Sequence, residues 1–311
     1  MKTPPRLRGV VAAAATPLLA DLGPDVPALL HHCRWLLENG CDGINLLGTT
    51  GEAMSFSVEQ RLAAMEAVAE RNVPVQRVMV GTGASALADA VLLSRRATQL
   101  GFAGALVLPP FYYKNVADDD IFRFFSSLIE RVAEPALTLY LYHFPALSGV
   151  PISSALIERL VTTYPGTIAG IKDSSGDRAH TASLARTFDG LDVFPSAESE
   201  LSRAPSLGFA GCISATVNVT APLAGIAWAA STDVAAADVD RPLSRLRFIF
   251  AQYPLIAAVR YALSVLHHDE GWLRTVPPLS ALSAGDGEAL MAKLAEEPHF
   301  AVIVDAVRPA V

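Results

Sequence analysis

Lysine is scarce in this chain of 311 residues: Lys2, Lys114, Lys172 and Lys293 are the only four in a Lys+Arg total of 24. No block of basic residues is interleaved with aromatics. With a formal net charge of −7 and a pI near 5.5, this argues against a nucleic-acid or anionic-membrane partner. Cysteine is equally sparse. Cys33, Cys41 and Cys212 make no CxxC pair and no even disulfide framework, which points to a reducing, cytoplasmic setting. No apolar run reaches the length of a membrane-spanning helix. The stretch Gly9–Ala15 behind Lys2, Arg6 and Arg8 is too short for a signal peptide and runs straight into Thr16-Pro17-Leu18, so it reads as a first strand. A glycine-rich dinucleotide turn is missing after that strand, and Gly81-Thr82-Gly83-Ala84 lacks the third glycine. What remains is 51% hydrophobic and 18% charged, a composition for one large α/β domain or two ordinary ones.

Short apolar runs alternate with amphipathic stretches up to about residue 220. Strands are expected at Gly9–Ala15, Gly43–Leu47, Arg77–Gly81, Gly104–Leu108, Leu137–Tyr142, Ile168–Lys172, Asp192–Pro195 and Gly211–Ala215. Continuous β-branched and apolar runs suit parallel strands covered on both faces. Helical spacing fills the gaps at Val26–Glu38, Val58–Arg71, Ala86–Leu100, Ile121–Val132, Ser154–Thr163, Ala179–Phe188 and Glu198–Leu207. Eight such units close naturally into a (β/α)8 barrel, a TIM barrel, with the doubly wound sheet as the alternative. Residues 1–220 are expected to form the barrel and 221–311 a helical extension packed on it, with helices at Leu223–Ala230, Val239–His267 and Asp286–Glu297 and an apolar segment at Phe300–Ala306.

A barrel of this kind carries its site at the C-terminal ends of the strands. Lys172 ends the sixth strand, where desolvation favours the neutral, nucleophilic amine; the alternative is a structural lysine paired with Asp173 or another carboxylate. Gly48-Thr49-Thr50-Gly51-Glu52 follows the second strand. Its hydroxyls and turn N–H groups suit a carboxylate, or it is an ordinary turn with threonine capping. Tyr112 follows the fourth strand and Tyr142 ends the fifth. Either could be a buried core ring, or its hydroxyl could pass protons to and from a carbinolamine.

The residues Gly48-Thr49-Thr50-Gly51-Glu52, Pro110-Phe111-Tyr112-Tyr113, Tyr142-x-x-Pro145 with Gly149, Gly170-Ile171-Lys172-Asp173 and Ile213-Ser214-Ala215-Thr216-Val217-Asn218-Val219 resemble the dihydrodipicolinate synthase / N-acetylneuraminate lyase family of Schiff-base aldolases. The resemblance implies that Lys172 forms an imine with pyruvate or another 2-oxo acid. It implies proton transfer by Tyr142, linked through Thr49 to Tyr112, the latter contributed by a neighbouring subunit of a homotetramer. Thr49 and Thr50, with the Gly48 turn, would hold the pyruvyl carboxylate, and backbone near Ile213 would position substrate. No cofactor and no metal are implied.

Departures from the family bear on the second substrate. Where the lysine-pathway synthase has an arginine after Tyr-x-x-Pro, this chain has Leu147, which cannot replace a bidentate guanidinium. Pro145-Ala146-Leu147-Ser148-Gly149 is similar to the sialic-acid lyase loop, which makes Leu147, Ser148 and Glu198 the expected aldehyde-facing residues. Ser196-Ala197-Glu198-Ser199-Glu200 nevertheless lacks that lyase's aromatic. His143 occupies a place often held by asparagine and suits a supporting hydrogen bond. His31-His32-Cys33 and His267-His268-Asp269-Glu270 lie on helix faces or ends rather than in a metal set. The leading expectation is cleavage of a 4-hydroxy-2-oxo acid to pyruvate and an aldehyde. Synthase-like condensation, sugar-acid dehydration, and a catalytically silent 2-oxo-acid sensor stand as alternatives.

Overall fold

A computed structural model describes residues 6–232 and 239–307; Lys2 lies outside them. Eight strands, β1 (Gly9–Ala13), β2 (Gly43–Leu46), β3 (Val78–Gly81), β4 (Gly104–Val107), β5 (Leu139–His143), β6 (Ile168–Asp173), β7 (Asp192–Pro195) and β8 (Gly211–Ser214), pair in parallel in the order β7-β6-β5-β4-β3-β2-β1-β8. A parallel bridge between Val193 and Phe209, with the Ala210 N–H donating to the Val193 carbonyl at 2.9 Å, draws β7 and β8 together. The result is the expected (β/α)8 barrel with a helical extension.

The strands are apolar on both faces because both faces are covered. In β1, Val11 and Ala13 point into the barrel with Met79, Leu106, Tyr140 and Phe194. Val10 and Ala12 point out under the helices. Each fully buried valine- or leucine-sized side chain contributes roughly 1.5–3 kcal/mol. The Tyr140 ring fills the barrel floor only because glycines flank it. A Cβ at Gly104 or Gly170 would stand 2.6 or 2.7 Å from its carbons.

The helices between strands are α1 (Val26–Glu38), α2 (Val58–Glu70), α3 (Leu87–Gln99), α4 (Asp118–Val132), the short α5 (Pro145–Ser148), α6 (Ser154–Thr163), α7 (Arg178–Thr187) and α8 (Val217–Ala229). Most bounds match the expectation within a few residues. The helix expected at Glu198–Leu207 is instead two single turns, Leu201–Arg203 and Pro205–Leu207. Pro205 cannot donate to a continuing ladder and clashes with the preceding turn. The α8 helix runs across residue 220, so the eighth βα unit continues past the expected start of the extension.

Beyond it lie α9 (Asp240–Phe250), α10 (Leu255–His267), α11 (Ala284–Ala295) and α12 (Phe300–Val307). The single helix expected at Val239–His267 is broken at Pro254, where α9 and α10 meet at 109°. Asp240 ties this extension to the barrel: its carboxylate accepts from the Ser202 N–H at 3.0 Å and the Ser202 hydroxyl at 2.6 Å. Among the described residues no single helix is long and apolar enough to cross a membrane.

Candidate active site

Lys172 and Asp173 are neighbours on β6, and adjacent strand residues face opposite ways. Lys172, 4% exposed, turns into the barrel mouth with its Nζ 4.5 Å from the centre of the Tyr142 ring. Asp173 turns outward. Its carboxylate accepts from the Ser175 N–H at 2.9 Å, the Thr181 hydroxyl at 2.7 Å and the His180 ring at 3.0 Å. Burial alone would raise the Asp173 carboxyl, but these hydrogen bonds outweigh it and hold it below its ordinary range. The structural alternative of a Lys172–Asp173 pair is therefore absent, and among the described residues Lys172 has no carboxylate partner.

The Tyr142 hydroxyl lies 3.3 Å from the Thr49 hydroxyl. Thr49 sits in a tight turn after β2 whose ends, Leu47 and Glu52, both adopt left-handed φ of 54°. The Glu52 N–H closes it on the Thr49 carbonyl at 3.0 Å. The turn is anchored from behind. Glu52 is 3% exposed and pairs with Arg260 of α10, itself 1% exposed. Its second oxygen accepts from the Val276 N–H at 2.9 Å.

A cavity of about 670 Å³ opens over these groups, lined by Lys172, Tyr142, Thr49, Thr50, Leu147 and Ile213. Six of the expected site residues are thus together. Four are placed otherwise. Tyr112 is 75% exposed and packs edge-on against Tyr113 at 5.2 Å, so within one chain the link from Tyr142 ends at Thr49. Gly48 borders a smaller neighbouring space, and its bare Cα leaves room for Asn45, whose Nδ2 a Cβ would meet at 2.4 Å.

Ser148, expected to face an aldehyde, is not among the residues that line the cavity. Its hydroxyl is turned back onto Val150, donating to the carbonyl at 3.0 Å and accepting from the N–H at 3.1 Å. Glu198 is also corrected. It is fully buried, and the hydroxyls of Ser214, Thr216 and Thr220 donate to it at 2.6, 2.5 and 3.0 Å. A buried carboxylate satisfied by three hydroxyls inside the eighth unit has no free edge for a ligand.

Ser196, from the loop after β7 that the sequence singled out, also lines the cavity. Phe144, Ser174 and Ser175 of the barrel, and Arg247, Leu255, Ile256, Thr275 and Leu279 of the extension, complete the wall without having been named as site residues. Serines after β6 could have been found as strand-end residues. The extension carries no local signal of where it passes.

One side-chain group has metal-like spacing: His143, Asp173 and His180 offer atoms within 4.8 Å of one another. The His143 Nδ1 accepts from the Ile152 N–H at 3.0 Å, which places the ring proton on Nε2. The nitrogen facing the other two is then a donor and not a ligand. Burial pushes His143 below its usual pKa, which favours this neutral form. The His143 ring instead packs against the His180 ring at 5.1 Å, and the Ser174 N–H donating to the His143 carbonyl at 2.8 Å joins the ends of β5 and β6.

Comparisons with known proteins agree with this geometry. Residues 6–297 match the model of the dihydrodipicolinate synthetase family. An uncharacterized DapA-like lyase of Chloroflexus aurantiacus is 37% identical over 209 residues, 67% of this chain and 69% of that protein. Dihydrodipicolinate synthase from Agrobacterium tumefaciens superposes with a TM-score of 0.86 at 29% identity, covering 93% of this chain and 99% of that one. YagE of Escherichia coli K12, solved in complex with pyruvate, gives 0.81 at 26%, covering 93% and 98%. In sequence, that putative 2-dehydro-3-deoxy-D-gluconate aldolase is 32% identical over 218 residues, 68% of this chain and 69% of its own length. With this barrel, this strand-end lysine and these relatives, the chain belongs to the dihydrodipicolinate synthetase family of Schiff-base aldolases and lyases.

Proposed function

We propose that the protein reversibly cleaves a 4-hydroxy-2-oxo acid to pyruvate and an aldehyde through an imine on Lys172. The observation that carries this reading is a buried strand-end amine without a carboxylate partner, facing a tyrosine whose hydroxyl is bonded to Thr49. The amine adds to the C2 carbonyl, and the carbinolamine hydroxyl leaves as water with the Tyr142 proton, giving an iminium and a Tyr142 phenolate. The C3–C4 bond then breaks, its electron pair passing into the iminium to form an enamine, while the C4 hydroxyl gives up its proton to the Tyr142 oxygen. Protonation at C3 and hydrolysis return pyruvate and the free amine. Thr49 and Thr50 hold the pyruvyl carboxylate through hydroxyls and turn N–H groups.

Cleavage is preferred over lysine-pathway condensation because Leu147, 62% exposed at the cavity edge, offers no donor to a second carboxylate. The name of the Escherichia coli relative, a putative sugar-acid aldolase, supports the same choice. The proposal includes a homotetramer in which Tyr112 reaches the site of a neighbouring copy, supported by its exposure in one chain. It also includes a cytoplasmic setting, supported by three buried free thiols.

Incubation with pyruvate and borohydride, followed by intact mass and peptide mapping, tests the imine. One reduced pyruvyl group on Lys172 is expected. No adduct, or an adduct on Lys114 or Lys293, overturns the reading.

A further inference from the structure

The main cavity is lined by two cationic side chains, Lys172 and Arg247, and by no carboxylate among the described residues, although the chain as a whole carries −7. Arg247 comes from α9 and stands over the end of β8. Among the described residues, the only hydrogen bonds of its side chain run from Nη1 to the Ser214 hydroxyl at 3.4 Å and the Thr216 hydroxyl at 3.1 Å. Both hydroxyls spend their protons on the buried Glu198. They therefore present lone pairs to the guanidinium and fix it in place. A guanidinium has five N–H donors in a planar fork. With one nitrogen engaged and the residue on the cavity wall, its other side-chain donors have no anionic partner among the described residues.

We infer that Arg247 grips a second anionic group, a carboxylate or a phosphate, at the far end of the aldehyde half of the substrate. The inference rests on the aldolase reading above and names its substrate class: a 2-oxo acid charged at both ends. Lys172 stands at β6 and Arg247 at β8, with β7 between them. Two strand spacings place their anchors roughly 10 Å apart, a gap that a short 2-oxo acid with a second terminal anion bridges. The pyruvyl carboxylate is held on the Thr49–Thr50 side, so the two anions do not compete for one site. Arg247 and Leu147 line different parts of this cavity, so the guanidinium does not restore the arginine that the lysine-pathway synthase has after Tyr-x-x-Pro.

Wild type, R247Q and R247K test the assignment. Each is treated with pyruvate and borohydride, and binding of glycerol 3-phosphate, 4-hydroxybutyrate and glycerol is followed by calorimetry on treated and untreated protein. Values of kcat/KM are measured in parallel on untreated enzyme with pyruvate and glyceraldehyde 3-phosphate, succinic semialdehyde or glyceraldehyde. Expected is a preference of about tenfold or more for one anionic probe over its neutral counterpart. R247Q abolishes that preference, R247K keeps part of it, and the unfolding midpoint stays unchanged in both. Whichever anion leads, phosphate or carboxylate, identifies the source. An anion preference that survives R247Q, an equal loss for charged and neutral probes, or no anion preference in wild type overturns the inference. Failure to trap pyruvate on Lys172 while anion binding still depends on Arg247 sinks the aldolase reading and the substrate class with it, and leaves only the anion grip of Arg247 standing.

Discussion

The two ends of the main cavity are made of different material. The floor consists of strand ends and one anchored turn, with Lys172 and Tyr142 on adjacent strands and Thr49 bonded to the second of them. The opposite wall is Arg247 of α9, apolar residues at the start of α10, and the non-helical segment 275–281 of the extension. Covalent chemistry requires its groups held within about 0.5 Å, which rigid strands provide. Selectivity requires only that one wall be changed without moving the other. Under the proposed function, position in the fold separates reaction from recognition, and the Glu52–Arg260 pair is where the two walls are joined.

The comparison breaks first, if it breaks, at the floor. Lys172→Ala is expected to lower turnover of every aldehyde by about 10³-fold or more and to abolish the borohydride adduct, with no loss of thermal stability. A variant that unfolds instead would make Lys172 a structural residue. Tyr142→Phe keeps the ring beneath Lys172 and removes only the hydroxyl. A fall of about 10²–10⁴-fold in kcat is expected, read by steady-state kinetics. A change confined to KM would assign the hydroxyl to binding.

Severing the join should disturb both ends. Glu52→Ala leaves Arg260 buried and unpaired and releases the Val276 N–H, a loss of about 3–5 kcal/mol in urea unfolding. The KM for pyruvate should rise with it, because the Thr49–Thr50 turn loses its anchor; an unchanged KM would uncouple the walls.

A gentler probe is pH. His32 and His267 are held neutral by burial, at about 3 and about 4 against an ordinary 6.5. Below 6.5 the unfolded chain takes up protons that the folded one refuses. Stability is therefore full above 6.5 and declines as pH falls toward 4, by up to about 1.4 kcal/mol per pH unit for each histidine. Urea titrations at several pH values check this; a flat profile from pH 7 to 5 would contradict it. Because these rings lie on α1 and α10, the decline should precede any change at Lys172. The smallest effect is expected from Ser148→Ala, which costs about 1 kcal/mol of loop stability and leaves aldehyde selectivity unchanged. A selectivity shift there would restore Ser148 to the substrate-facing wall.

Strands were readable in the sequence because both their faces are buried, which writes each one as a continuous apolar run. Helix positions followed from apolar spacing, and the structure adds the caps Asp25, Ser57 and Ser153, each accepting from a backbone N–H. Apolar spacing misled where a proline overrode it, at Pro205 and Pro254. Glu198 misled for another reason. An acid after β7 looks available until Ser214, Thr216 and Thr220, well along the chain, are folded around it.

Local pattern alone placed Lys172 at a strand end, Tyr142 at its neighbour and a hydroxyl pair beside them, since the period of the chain dictates which residues reach the mouth of a closed barrel. Local pattern could not say that Asp173 faces away, that Ser148 folds back on its own loop, or that Arg247 reaches across to the catalytic end. Those outcomes depend on contacts between residues remote in sequence, and burial, strand alternation and the path of the extension settle them only when the chain is packed.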